Sequence, residues 1–141
     1  MMKRIYLITG ALVLATLLAA GCITGDGGLE RTTWRLISYM GDDGQTVRAT
    51  AGATISFSGD GTLQGNAGCN SYGADYRAGK NQIVISQPVA TEMYCMDESV
   101  MEQERRFLFL ITQAATYSLD GDILIISQRD GREILAFGRM I

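Results

Sequence analysis

The chain has 141 residues, a formal net charge of −3, three cysteines, seventeen glycines, one proline and no histidine. Without imidazole there is no Ser-His-Asp triad, no Cys-His pair and no histidine-ligated zinc. The acidic balance argues against nucleic acid, whose phosphates call for Lys and Arg patches, and against broad adhesion to anionic lipid heads.

The first segment reads as an address. Lys3 and Arg4 form a short positive head, residues 5–18 form an apolar run broken by Thr9, Gly10 and Thr16, and Leu18-Ala19-Ala20-Gly21 leads into Cys22. This is the layout of a secretory signal. Its end looks like the lipobox of prokaryotic lipoproteins, in which the signal is cut before the cysteine and Cys22 carries lipid. The run is short of the ~20 residues of a membrane span. An uncleaved anchor helix is the competing reading, and both place the rest of the chain outside the cytoplasm at a membrane. One acyl chain binds at only about 10⁴ M⁻¹, so stable anchoring calls for a second. Removing residues 1–21 leaves 120 residues with a formal charge of −5, one domain's worth. Residues 22–30, rich in Gly with Thr24 and Asp26, read as a flexible tether, and residues 31–141 as the folded domain.

Turn signals then recur at Gly41-Asp42-Asp43-Gly44, Ser58-Gly59-Asp60-Gly61, Ala78-Gly79-Lys80-Asn81, Asp120-Gly121-Asp122 and Asp130-Gly131. Such pairs favour the positive φ of tight hairpins. Between them run β-branched and aromatic residues. Trp34, Leu36 and Ser38 share one face of a first strand, with Arg35, Ile37 and Tyr39 on the other. Thr54-Ile55-Ser56-Phe57-Ser58 alternates strictly, with Ile55 and Phe57 turned to a core. Ile83-Val84-Ile85, Ile123-Leu124-Ile125-Ile126 and Ile134-Leu135-Ala136-Phe137 read as strands at least partly covered on both faces. The spacing suggests an antiparallel meander.

One stretch breaks the period. From Asp97 to Ala115 there is no Gly or Pro, and Val100, Phe107, Leu110, Ile111 and Ala114 recur at helical spacing, with Met101, Leu108 and Ala115 widening the stripe. Asp97 suits the N-cap and Glu98 the first turn. The expected class is α+β, mainly antiparallel β: a curved meander sheet, sandwich- or half-barrel-like, with one amphipathic helix packed on it. About five strands precede the helix and about three follow. Glu104 falls on or beside the apolar stripe. A buried carboxylate needs a partner. The plainer reading is a structural salt bridge or a carboxylate accepting backbone N–H groups from a nearby loop; the sharper one is a functional acid with a raised pKa.

With Cys22 assigned to lipid, Cys69 and Cys95 remain, and no C-x-x-C redox motif is present. Outside the cytoplasm two thiols tend to oxidise. A Cys69–Cys95 disulfide would contribute roughly 3–4 kcal/mol by loop entropy; two free thiols packed as small hydrophobes are the other arrangement. Gly59-Asp60-Gly61 followed by Gly65 lacks the third glycine and the helix of a dinucleotide loop. No G-K-[ST] follows a Gly-rich loop. The Asp clusters at 42–43 and 120–122 lack EF-hand spacing and read as solvated turns.

Several separated motifs agree with one known family. Thr33-Trp34-Arg35-Leu36 is followed by Gly65-Asn66-Ala67-Gly68-Cys69-Asn70, Tyr72 and Tyr76, then by Thr91-Glu92-Met93-Tyr94-Cys95, by Met101-Glu102-Gln103-Glu104, and by Tyr117 with Gly121-Asp122 and Leu124. Taken in order over about residues 31–138 they resemble the META domain family, which includes bacterial heat-shock lipoproteins of the HslJ type and secreted parasite proteins. Tyr94 departs from the pattern, since small residues often precede the second cysteine there. The resemblance implies a compact α+β fold and an association with envelope stress or secretion. It implies no catalytic residues.

Read physically, Gly65 and Gly68 permit sharp turns or close approach, the Asn70 amide can bridge backbone groups in a loop without ladder partners, and Cys69 would staple that loop to Cys95. Asn70, Tyr72, Tyr76, Met93 and Glu104 are therefore expected as a structural corner or a binding site. The expected protein is a monomeric, non-enzymatic envelope domain without cofactor or metal. Its expected partners are the membrane, through lipidated Cys22, and another envelope protein. The alternatives are a small-molecule carrier with a cavity between sheet and helix and, less so, a hydrolase built on two inward carboxylates.

Overall fold

The computed structural model describes residues 28–141; the signal segment, Cys22 and the tether up to residue 27 lie outside the described residues. The strands are β1 (Thr33–Met40), β2 (Thr46–Arg48), β3 (Thr54–Phe57), β4 (Thr62–Asn66), β5 (Ser71–Gly79), β6 (Gln82–Ile85), β7 (Val89–Ala90), β8 (Thr116–Asp120), β9 (Ile123–Ser127) and β10 (Glu133–Arg139), with α1 (Glu98–Ile111) between β7 and β8. Neighbours run β10-β9-β8-β6-β5-β4-β3-β1, all antiparallel, and β10 pairs back onto β1 to close eight strands into a barrel. The expected curved, half-open meander is thus a closed barrel. The closing pair joins Trp34 to Arg139 and Tyr39 to Leu135, almost the two ends of the domain, and no local turn signal announces such a pairing. Closure removes the exposed sheet edges that invite aggregation. β2 hangs from β1 and β7 from β5, outside the ring. These two strands, three and two residues long, raise the count before the helix from five to seven; they are too short to print an alternation.

The inward faces follow the period-two rule until a bulge resets it. Trp34 and Leu36 are buried, but the register slips between Leu36 and Ser38, so Tyr39 and Met40 pack on the core and Ser38 does not continue the Trp34 face. An extra residue in one strand shifts all later side chains to the opposite face. A second slip between Glu133 and Leu135 lets both Ile134 and Leu135 be buried. The partial cover expected on both faces is found in β10, where Ile134, Leu135 and Phe137 are buried and Ala136 half-buried, and in part in β9, where Ile125 is half-buried but Ile123 exposed; β6 lacks it, since Ile83 and Ile85 are buried and Val84 is exposed.

α1 does not lie on a sheet face. It stoppers one end of the barrel. Phe107, Leu110 and Ile111 are fully buried. The Phe107 ring meets Tyr72 edge-on at 5.5 Å and Phe137 at 6.3 Å. Asp97 caps it, accepting from Ser99 N at 2.9 Å and Ser99 Oγ at 2.6 Å. The helix ends at Ile111, short of the expected Ala115. Gln113 N already bonds three residues back to Leu110 O, and Ala115 N donates to Ser127 O, joining the sheet. Ala114 remains in the core without being helical.

The opposite end is where the described chain enters. Leu29 is buried, its carbonyl accepts from Trp34 Nε1 at 3.4 Å, and Glu30 bridges Phe57 at the end of β3. The tether expected to run to Glu30 is therefore shorter, because Leu29 belongs to the core.

Candidate functional site

The site is built on the β4–β5 turn at the helix end. Asn66 Oδ1 accepts from Gly68 N at 2.8 Å, and Ala67 N donates to Asn70 O at 2.7 Å. Gly68 has φ +133°, which a side chain rarely tolerates. At Gly65 a Cβ would stand 2.0 Å from Thr54 O. That carbonyl also accepts the Tyr72 hydroxyl at 2.9 Å. Gly65 and Tyr72 thus serve one contact, the close passage of the Thr54 backbone over β4. Burial raises the Tyr72 phenol well above its ordinary pKa, so it stays a neutral donor.

The turn leaves the N–H groups of Cys69 and Asn70 without ladder partners and aims them at the helix. Glu104 Oε2 accepts both, at 2.8 and 2.7 Å, and Oε1 accepts Asn70 Nδ2 at 2.6 Å. Asn70 Nδ2 also donates to Met93 O at 3.0 Å, while Oδ1 accepts Met93 N at 2.6 Å and the Thr91 hydroxyl at 2.8 Å. Both donors and both acceptor positions of the amide are used. Glu104 is buried with three N–H donors and, among the described residues, no ion-pair partner. Charge-assisted bonds of this kind offset the cost of burying the carboxylate. Of the two readings of Glu104, the geometry matches the carboxylate that accepts loop N–H groups.

The Cys69–Cys95 disulfide is present, with Cα atoms 6.0 Å apart. Together Asn70 and the disulfide hold the segment 91–97, which has no regular secondary structure, against the barrel. Met93 takes part through its backbone only; its side chain is exposed. Tyr94, the departure from the family pattern, also points to solvent and so does not disturb the packing. Tyr76 does not belong to this corner. Its hydroxyl donates to Ser58 O at 2.9 Å and its ring meets Phe57 edge-on at 4.9 Å, at the entry end. Cys22 lies outside the described residues.

Sequence reasoning missed Gln103 and Arg106. Gln103 Oε1 accepts from Thr50 N at 2.8 Å and Ala51 N at 3.1 Å, and its Nε2 donates to Ala51 O at 3.1 Å. Arg106 donates to Met40 O at 2.7 Å and Gly41 O at 2.8 Å and pairs with Asp42 at 2.8 Å. The signal for Gln103 was its place in the stripe, three residues after Val100 and four before Phe107. α1 thereby fastens three loops of the helix end, each with a different side chain.

The corner offers little chemistry. Glu104 is the one buried carboxylate among the described residues, and donors occupy both its oxygens. Among the described residues no group of three or more metal-ligating side chains comes together. Trp34, Leu63, Ile83, Phe107, Leu124 and Phe137 are fully buried in the core.

Comparisons place this geometry. An NMR structure of a protein from Burkholderia xenovorans is similar at 22% identity and a TM-score of 0.65, over 79% of this chain and 83% of that one. A crystal structure of a DUF4847 family protein from Bacteroides vulgatus is similar at 14% identity and a TM-score of 0.56, over 79% and 94%. At such identities the likeness concerns the fold alone. No curated protein matches the sequence. The META domain profile matches residues 27–140, the whole barrel with its helix and the Cys69–Asn70 turn, and the chain therefore belongs to the META domain family.

Proposed function

We propose that this chain is exported, anchored through lipid on Cys22, and acts without catalysis as a protein-binding domain of the cell envelope in stress response or envelope maintenance. The observation that carries the reading is the saturation of the Asn70–Glu104 pair. Asn70 and Glu104 spend their polar atoms on the backbone of the 67–70 turn and of Met93, on the Thr91 hydroxyl and on each other, which supports a structural role for this pair. What that framework presents to solvent is side chains, which is the requirement of a binding surface. The lipobox and the acidic mature chain support attachment by acyl chains rather than by basic contacts to lipid heads.

Cys22→Ser tests the anchor. The variant is expected in the soluble fraction and without incorporated radiolabelled palmitate; a variant still wholly membrane-bound would establish the uncleaved helix instead. Cross-linking of the native protein in its own membrane tests the binding role. Reproducible adducts with envelope or exported proteins are expected, and their absence would overturn it.

A further inference from the structure

The segment Thr91–Asp97 exposes three large apolar side chains in four residues: Met93 is 58% exposed, Tyr94 75% and Met96 94%. None of the three contributes its side chain to the core. Yet the segment is tied down at three points: Thr91 N donates to Ser71 O at 3.0 Å and its hydroxyl to Asn70 Oδ1, the Met93 backbone bonds the buried Asn70 amide through both N and O, and Cys95 is joined to Cys69. A loop fixed in advance loses little conformational entropy when it binds, and methionine adapts to varied apolar partners. Glu92, Asp97 and Glu98 flank the three side chains, all exposed. Placement adds a direction. β4 begins at the entry end, where Leu63 pairs with Phe57, and finishes at the turn that carries Cys69, so this loop lies at the end of the barrel opposite Gly28. With five residues between Cys22 and Gly28, the proposed lipid anchor would join the bilayer at the entry end and leave this loop at the far end of the barrel.

We propose that Met93, Tyr94 and Met96, rimmed by Glu92, Asp97 and Glu98, form a docking surface for an extended polypeptide segment that combines apolar and basic side chains. The proposal deepens the protein-binding reading and rests on it for its biological setting. The acidic rim selects basic partners by charge complementarity and excludes an anionic bilayer or an acidic chain. The apolar side chains supply the contact area.

The test uses the full-length lipoprotein in phosphatidylcholine nanodiscs, with empty discs as blank, titrated with fluorescent peptides of alternating leucine and lysine or leucine and glutamate. The lysine peptide should bind at least about tenfold more tightly than the glutamate peptide, and its binding should weaken with salt. Met93→Ser, Tyr94→Ser and Met96→Ser together should lower its affinity about tenfold or more while leaving thermal unfolding unchanged. Glu92→Lys with Glu98→Lys should abolish the preference between the two peptides. Equal binding of both peptides by the wild type, or full binding by the triple variant, overturns the proposal. So does sedimentation showing a dimer that the triple variant loses, which would make a second copy the occupant. If the peptide results hold while cross-linking in the native membrane yields no envelope partner, the surface stands and the cellular role fails. Adducts obtained only from the entry end reverse that outcome.

Discussion

The two ends of the barrel are closed by different physics. The entry end is shut mainly by apolar burial: Leu29 and Trp34 are buried, the Tyr76 ring meets Phe57 edge-on at 4.9 Å, and the Arg139 guanidinium lies over the Trp34 ring at 4.9 Å. The helix end is shut by a stopper whose apolar side enters the barrel and whose Gln103, Glu104 and Arg106 satisfy the backbone of three loops. Burial is tolerant, because a smaller apolar residue leaves a cavity that neighbours partly fill. A saturated polar network is not, because each lost acceptor strands buried donors. The helix end is therefore the place where a single substitution does most harm and where a loop can be held rigid in solvent.

The largest effect should come from Glu104→Ala, which strands two backbone N–H groups and one amide N–H. At ~1–3 kcal/mol each, a loss of about 4 kcal/mol is expected in urea unfolding. A loss below about 1 kcal/mol would mean the network does not hold the stopper. Cys95→Ser, or reduction of the native protein, should cost about 3 kcal/mol, in line with a sequence separation of 26 residues. It should also speed hydrogen exchange at residues 91–97 and leave β1 and β10 protected; uniform loosening would show that the disulfide stabilises the barrel rather than the loop. Leu29→Ala at the other end should cost roughly 2–3 kcal/mol by cavity formation, and 91–97 should stay as protected as in the wild type.

The smallest effect belongs to Asp97. Side-chain and backbone hydrogen bonds from Ser99 hold its carboxyl below the usual value of 3.8. A group whose folded pKa is depressed stabilises above its unfolded value and loses that contribution as pH falls through the folded one. The difference in unfolding midpoint between wild type and Asp97→Ala should thus be full at neutral pH and fade below about pH 4. A difference that grew in acid would contradict the cap.

The corner was partly legible in the chain. Asn70 as a bridge between backbone groups, Glu104 as an acceptor for loop N–H groups, the Cys69–Cys95 bond and Asp97 as cap could all be argued from residue type and position. Tyr76 belongs to the same family motif as Tyr72, but β5 runs toward the entry end between them and carries Tyr76 away from the corner. Gln103 and Arg106 were missed because a polar residue in a helical stripe announces burial or exposure ambiguously, and only the loops beside it decide.

Alternation, glycine placement and the unbroken 97–115 stretch were enough to determine the antiparallel β character, most of the tight hairpin turns and the existence of one amphipathic helix, because these depend on neighbours within a few residues; the short β2 and β7 were not among them. The bulges that reset β1 and β10, the pairing of the first strand with the last, and the seating of α1 across an open end were decided only in three dimensions. Each depends on backbone groups far apart in the chain finding partners at once, and closure of the ring is the arrangement that satisfies them.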